Sequence, residues 1–331
     1  MMKAWSIKAP GDADQLVMVE RPIPEPLENE ILIKVEAAAV NRLDIMTRED
    51  KTLEAPYPIL GVEVSGIVEK ESPEYPDLTV GTRVAGITER NAYAEYVVMD
   101  AGRAMVLPDS MSFIEGAAIP EVFLTAYQTM FWLGELKPDE TILIHAAGSG
   151  VGTAAIQLAS RKITDAKIIA TAGKAHKLDM AKALGAKHTI NYKKEDFAEK
   201  VLEYTDGRGA DVILDFIGAS YFEQNLKSAA VDGRWISIGT LGGAKIENFS
   251  LRDLMSKRLS LKGTLLSPRS NEYKAELSQE FAKRIMPFFD EDIIQPIIHS
   301  VLDFEEMKEA HRQIEANENT GKVVIAIGDN A

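Results

Sequence analysis

From Glu140 to about Gly239 the chain alternates between short β-rich runs and helical stretches, and this rhythm limits the possible folds more than any other feature. Strands are read at 141–145, 167–171, 188–191, 210–216 and 234–239, and the runs at 141–145, 167–171 and 210–216 are rich in Val, Ile, Leu and Ala. Helical patterns fill 150–161, 174–184, 196–205 and 221–230 between them. Strands buried on both faces read as near-continuous apolar runs, and parallel neighbours need a helical crossover. The pattern therefore predicts an α/β domain with a doubly wound parallel sheet. A sixth strand is read at 258–266, "RLSLKGTLL".

The flanks have a different character. Strand patterns at 28–41, 61–70, 81–87 and 91–100 are cut by Gly and Pro, which suggests a β-rich, partly open barrel. Two helical stretches broken at Pro120 lead into the alternating region. Beyond it come helical patterns at 271–289 and 303–318 and a last strand at 321–328. The 331 residues suit two domains. One is expected to comprise 1–123 with 270–331, and the other, inserted into it, 124–269.

Composition narrows the function classes. A net charge of −14 disfavours a broad nucleic-acid or anionic-membrane surface, so any anion must be held by a local basic site. No cysteine is present, which removes disulfides, thiol nucleophiles and cysteine-ligated zinc and fits a reducing compartment. The five histidines, at 145, 176, 188, 299 and 311, show no ligand spacing. Neither a signal peptide nor a membrane-length apolar run is read, and the expected location is cytoplasmic.

The first strand–helix junction reads "ILIHAAGSGVGTAAIQLA" (142–159). A dinucleotide site is expected to show G-x-G-x-x-G, yet Ala147 and Ser149 stand in the first two glycine places. Gly148, Gly150 and Gly152 still allow the backbone to approach a pyrophosphate, and the helix N-terminus after them offers free N–H groups. Ser149 adds a hydroxyl. A plain tight turn is the alternative, and the alternating domain behind it favours the phosphate reading. About 20 residues on, where an NAD site places an acid, the sequence gives Gly173 in "TAGKAHK", followed by Lys174 and Lys177. Lysine attracts the 2′-phosphate that an acid would repel, and Tyr192 adds a hydroxyl nearby, so NADPH is the expected cofactor. The alternative is that these lysines line a solvated helix face.

"GVEVSG" (61–66), "NRLD" (41–44), "AAIPEVFLTAYQ", "HAAGSGVGTAAIQLA", "KALGAKHTINYKKEDF", "ADVILDFIGASYFEQNL" and "DGRWISIG" together resemble the medium-chain dehydrogenase/reductase superfamily. In its zinc alcohol dehydrogenases a histidine ligand stands where this chain has Val62, and a cysteine ligand falls near Asn41–Asp44. The resemblance is therefore to the zinc-free, zeta-crystallin-like quinone oxidoreductase branch, over nearly the whole chain. "NYKKEDF" and "EANENTGKVV" look most like its tumour-suppressor-induced type.

That resemblance implies a Rossmann-type sheet inserted into a GroES-like barrel domain, with no metal. It implies hydride transfer from NADPH, in a cleft between domains, to a quinone or an activated α,β-unsaturated carbonyl. Asn41 would lie beside the nicotinamide and acceptor. Thr125, Gly148, Ser149, Gly150, Val151, Gly152 and Gly239 would line the cofactor, and Gly173, Lys177 and Tyr192 would hold the 2′-phosphate. Leu265, Leu266 and Ser267, with Asn319, would meet the carboxamide end. The strand from Arg258 to Leu266 would pair with its copy in a homodimer. The branch's acceptor-lining tyrosine falls near Thr52 here, and Tyr57 is the only replacement in view.

Plainer roles stand beside these. Asn41 could cap a turn, Thr125 could bond back within its helix, and Tyr192 could be a sheet-end aromatic. Asp215 is read as a support for the cofactor-edge loop, and Phe123, Tyr127 and Phe131 as core. Arg269 is open between a phosphate contact and cover for the dimer edge. No strong acid–base residue is identified for catalysis. Two further readings stay open: an enoyl-thioester reductase on the same scaffold, and a weakly catalytic NADPH-binding protein of crystallin-like or RNA-binding type.

Overall fold

The chain opens with β1 (Met2–Ile7) and β2 (Leu16–Arg21), an antiparallel pair. The long strand β3 (Glu30–Val40) follows and leads directly into α1 (Arg42–Glu49). β4 (Glu63–Lys70), β5 (Arg83–Ile87), β6 (Tyr96–Asp100) and β7 (Met105–Val106) then build an antiparallel sheet around β3. The alternating apolar residues Ile31, Ile33 and Val35 of β3 are buried beside Val64, Val84, Val97 and Tyr93. Two helices close this segment. α2 (Phe113–Ala117) starts at Ser112, whose hydroxyl accepts the Glu115 N–H while the Glu115 carboxylate takes the Ser112 N–H. α3 (Pro120–Tyr127) places proline in the first turn, where no N–H is needed, and runs on into a π-helical turn, Gln128–Leu133.

Next come β8 (Thr141–Ile144), α4 (Gly150–Lys162), β9 (Lys167–Ala172), α5 (Ala175–Leu184), β10 (His188–Asn191), α6 (Phe197–Tyr204) and β11 (Ala210–Asp215). α7 (Phe222–Ser228), β12 (Ala229–Ser237), α8 (Leu251–Ser256) and β13 (Ser260–Gly263) complete the run. The six strands form one parallel sheet in the order β10-β9-β8-β11-β12-β13. The order reverses beside β8, so the carboxyl ends of β8 and β11 mark the switch point where such sheets bind ligands. β8 and β11 are buried along their whole length, including Thr141, Asp211 and Asp215 at their ends. α4 buries a continuous stretch from Gly152 to Ala159, in which Gly152, Ala154, Ala155 and Ala159 are small.

The chain returns through α9 (Asn271–Asp290), β14 (Ile298–Asp303), α10 (Met307–Ala316) and β15 (Lys322–Ala326). β15 pairs antiparallel with β3 and carries β14 on its outer side, extending the first sheet to seven strands. Residues Met1–Ala331 are all described in this computed structural model. They divide into a first unit, Met1–Leu124 with Ser267–Ala331, and a second, Thr125–Leu266. No helix is long and apolar enough to cross a membrane.

The expected α/β class is borne out, with a parallel Rossmann-like sheet and a separate mixed sheet. Several expected boundaries move. The strand read at 258–266 is ordered as a strand over four residues only, Ser260–Gly263, which pair with Arg234–Ser237 of β12. The strand read at 234–239 begins earlier, at Ala229. The helix read at 303–318 begins at Met307, since Asp303 ends β14, a strand the sequence reading lacks.

Candidate active site

In the second unit, β8 delivers the glycine turn and α4 receives it. Ser149 is the N-cap of α4: its hydroxyl oxygen accepts the Gly152 N–H at 3.0 Å, leaving its own O–H free to donate. A Cβ on Gly152 would lie 2.4 Å from the Ala146 carbonyl oxygen, so only glycine lets the helix begin this close to the strand. A Cβ on Gly148 would meet the Lys177 side chain at 2.5 Å, which places the stem of Lys177 across the turn. Gly150 and Val151 form the first helical residues. A Cβ on Gly173 would lie 2.8 Å from the Tyr192 hydroxyl and 2.9 Å from Cε of Lys193.

The carboxyl ends of three adjacent strands thus converge: the turn with Lys177 over it after β8, Gly173 after β9, and Tyr192 with Lys193 after β10. Burial, then the charge of Lys174, lowers the Lys177 ammonium from its ordinary value. A small-residue floor with a helix N-terminus, two hydroxyls and lysine heads fits a dinucleotide carrying a 2′-phosphate. Lys193 was not among the expected residues; the doubled lysine of "NYKK" was the signal for it.

Behind the turn the polar groups are structural. His145 is buried, with Nδ1 2.9 Å from Thr171 Oγ1 and Nε2 2.7 Å from Asn225 Oδ1, and burial lowers its pKa. Asp215 does support the loop after β11. Its Oδ1 accepts the N–H groups of Ile217 and Gly218, and its Oδ2 accepts the Trp235 indole N–H at 3.1 Å. The Asp215 carbonyl accepts from Ile238 and, at 3.4 Å, from Gly239. Thr125 is buried in α3, where its carbonyl accepts the Thr129 hydroxyl. Leu265 is exposed and Leu266 buried, both just past β13.

In the first unit, Asn41 occupies the N-cap position of α1 and is 8% exposed. Its side chain does more than cap. Oδ1 accepts from Lys322 Nζ at 2.7 Å, and Nδ2 donates to Glu63 Oε1 at 2.7 Å and to the Ala39 carbonyl at 3.4 Å. Lys322 Nζ also donates to Glu63 Oε1 at 2.6 Å and to the Val40 carbonyl at 3.3 Å. The other Glu63 oxygen accepts the backbone N–H of Glu121 at 2.7 Å. Asp44 Oδ2 receives the Asn41 N–H and the Tyr93 hydroxyl, each at 2.8 Å. Burial pushes the Asp44 carboxyl up to about 6, against the pull of those bonds and of Lys322. Burial, then the Glu63 charge, pushes the Glu121 carboxyl up to about 7.

The remaining expected residues of this unit have local roles. Ser267 is exposed, and Asn319 donates its amide to the Gly321 carbonyl at 2.8 Å. Thr52 is exposed and bonded to Asp50, and Tyr57 packs against the core. Arg269 lies over the Tyr273 ring at 4.7 Å, and Phe123 stacks edge-on against Phe289. Sequence reading singled out Asn41 but not Glu63 and Lys322, which bond to its amide from two distant segments, nor Glu121, whose backbone N–H bonds to Glu63.

Residues 27–109 match the alcohol dehydrogenase GroES-like domain family, and residues 150–283 match the zinc-binding dehydrogenase family. A quinone oxidoreductase-like protein 2 homolog of Nematostella vectensis is 31% identical over 301 residues, covering 90% of this chain and 81% of that protein. The Escherichia coli quinone oxidoreductase, solved in complex with NADPH, has a TM-score of 0.88 at 28% identity, covering 98% of this chain and 99% of that one. A solved NAD-dependent alcohol dehydrogenase has a TM-score of 0.87 at 33% identity, covering 99% of this chain and 100% of that one. The chain spans 66% of a synaptic vesicle membrane protein VAT-1 homolog of Danio rerio and 15% of a polyketide synthase of Mycobacterium tuberculosis, both 28% identical to it.

The second family's description raises the question of zinc. Zinc takes imidazole, thiolate and carboxylate ligands at converging positions. Here Val62 precedes Glu63, Asn41 presents an amide, and both Glu63 oxygens are held by Lys322, Asn41 and the Glu121 N–H. An ammonium at the carboxylate puts a positive charge where the metal would go, and the donor set does not fit the ion.

Proposed function

Because the chain belongs to the medium-chain dehydrogenase/reductase superfamily, with quinone oxidoreductases among its relatives, we propose that it is a zinc-independent, NADPH-dependent reductase of quinones or activated α,β-unsaturated carbonyls. The observation that carries this reading is the Lys177 side chain lying over Gly148 of the glycine turn, with Tyr192 and Lys193 over Gly173 at the end of the neighbouring strand. NADPH, when bound, supplies a hydride. The chain's own residues would hold and orient it: the first N–H groups of α4 and the Ser149 hydroxyl would meet the pyrophosphate, and Lys177, Lys193 and Tyr192 would select the 2′-phosphate. Asn41, with its amide clamped on both sides, is a fixed wall of the acceptor site. A quinone suits such a site, because its reduced oxygens take protons from water and no metal is needed to stabilise an alkoxide.

The same reading includes a homodimer. β13 has one free edge, and Leu261, Leu265 and Met255 beside it are exposed. A reducing compartment such as the cytoplasm suits a chain without cysteine.

Fluorescence titration with NADPH and NADH, followed by 340 nm absorbance on adding 9,10-phenanthrenequinone or 1,4-benzoquinone, tests the proposal. Tight NADPH binding with quinone-dependent oxidation is the expected result. Lys177→Glu should weaken NADPH by about ten- to a hundredfold, the worth of one charged hydrogen bond, and change NADH little. Binding of neither cofactor overturns the reading.

A further inference from the structure

The Asn41 knot contains four ionisable side chains besides Tyr93, and three of them are spent. Lys322 directs its ammonium at Glu63, Asn41 and the Val40 carbonyl, which uses all three of its protons. Glu63 is fully buried, with partners on both oxygens. Asp44 is 2% exposed and holds the Tyr93 hydroxyl and the Asn41 N–H. Glu121 differs. Its backbone N–H is pinned to Glu63 by the 2.7 Å bond at the start of α3, no hydrogen bond holds its carboxyl, and the residue as a whole is half-buried.

We propose that Glu121 is the proton donor of the acceptor site, serving acceptors whose reduction requires protonation at carbon. This rests on the reading that Asn41 marks the acceptor end. A group with that task must be protonated near neutral pH, reach solvent for reprotonation, and stand among groups that keep its neutral form. Burial and the Glu63 charge raise Glu121 to about 7, Asp44 acts the same way, and Lys322 and Lys274 oppose them.

The step balances as follows. The hydride forms a C–H bond at the β-carbon of the enone, and the π electrons move to give an enolate. The Glu121 O–H breaks, its proton forms the new C–H bond at the α-carbon, and its electron pair stays on the carboxylate. Water then returns a proton to Glu121. One enone, one NADPH and one proton give one saturated carbonyl and one NADP⁺.

The test compares wild type, Glu121→Gln and Glu121→Asp on 2-cyclohexen-1-one and on 1,4-benzoquinone across pH 5 to 9. For Glu121→Gln, kcat on cyclohexenone should fall about a hundredfold, and the decline of rate as pH rises through about 7 should vanish. The fall on benzoquinone should be about tenfold smaller. Glu121→Asp should keep the alkaline decline. Without any cofactor, an infrared pH titration of the wild type should lose a protonated-carboxyl band near pH 7 that Glu121→Gln lacks. Equal losses on the two acceptors with unchanged pH profiles, no such band, or wild type that reduces benzoquinone but not cyclohexenone would each overturn the proposal while the reductase reading stands. Failure of the wild type to bind NADPH, or to reduce either acceptor, removes that reading and this inference with it.

Discussion

Lys322 and Glu63 form an ion pair with almost no exposure, and such a pair is weak as a source of stability but costly to break. Lys322→Met should therefore lose about 3–5 kcal/mol, because Glu63 is left charged in the core. Adding Glu63→Gln should recover a large part of it, and chemical denaturation of the four-member cycle measures the coupling. Protons report on the same knot. The folded Glu121 carboxyl sits at about 7 against an ordinary 4.5, so the folded state binds the extra proton between those values. Its contribution to stability is full below pH 4.5 and is lost as pH rises to about 7. His311, pushed down to about 3 by burial and by Arg48, works in the opposite direction below its ordinary 6.5. The stability of wild type minus that of Glu121→Gln, followed by urea denaturation from pH 4 to 8, should isolate the Glu121 decline. Asn41 was legible in sequence because it opens "NRLD"; its partners were not. Nothing local to Glu63 or Lys322 says that the fold brings both to one amide, or that Glu121 will pin the far oxygen of Glu63.

At the scale of elements, the α4 entry is the most constrained feature. Gly152→Ala would push a methyl to 2.4 Å from the Ala146 carbonyl oxygen and 2.9 Å from the Ala147 Cα, both backbone atoms that have no rotamer to escape into. The expected cost is about 1–3 kcal/mol of overpacking, with weaker NADPH binding as the turn shifts. Thermal unfolding and cofactor fluorescence check the two effects separately. This part of the fold was readable because the central strands β8, β9 and β11 are short, largely apolar runs and helices stand between the strands. Elsewhere the signal was weaker. β14, "IHSVLD", has every second residue exposed, and its pairing with β15 is set by the sheet rather than by its own apolar content. β12 starts five residues before the expected strand because a register shift opposite Ala210 lets "AAVDG" join the ladder.

For the whole molecule, the free edge of β13 carries the proposed assembly. Leu261 and Met255 are 42% and 72% exposed there, and an open apolar strand edge invites pairing with another strand. Light scattering after size exclusion should give twice the chain mass for wild type. Leu261→Asp with Met255→Asp should shift the protein to the monomer, and a wild-type monomer at micromolar concentration would remove the dimer from the proposal. The Asn41 knot has a further consequence, in time rather than space. Lys322 stands 259 residues beyond Glu63, and both must be made before the charge of the buried carboxylate is balanced. At roughly 5–20 residues per second, the ribosome takes between about ten seconds and a minute to make that interval. During synthesis the second unit emerges in full while β3 still lacks its β15 neighbour and Glu63 lacks its cation. The first unit is thus the last to mature, and each newly made chain passes through a period in which its parallel sheet can be complete while its acceptor-side residues are still unset.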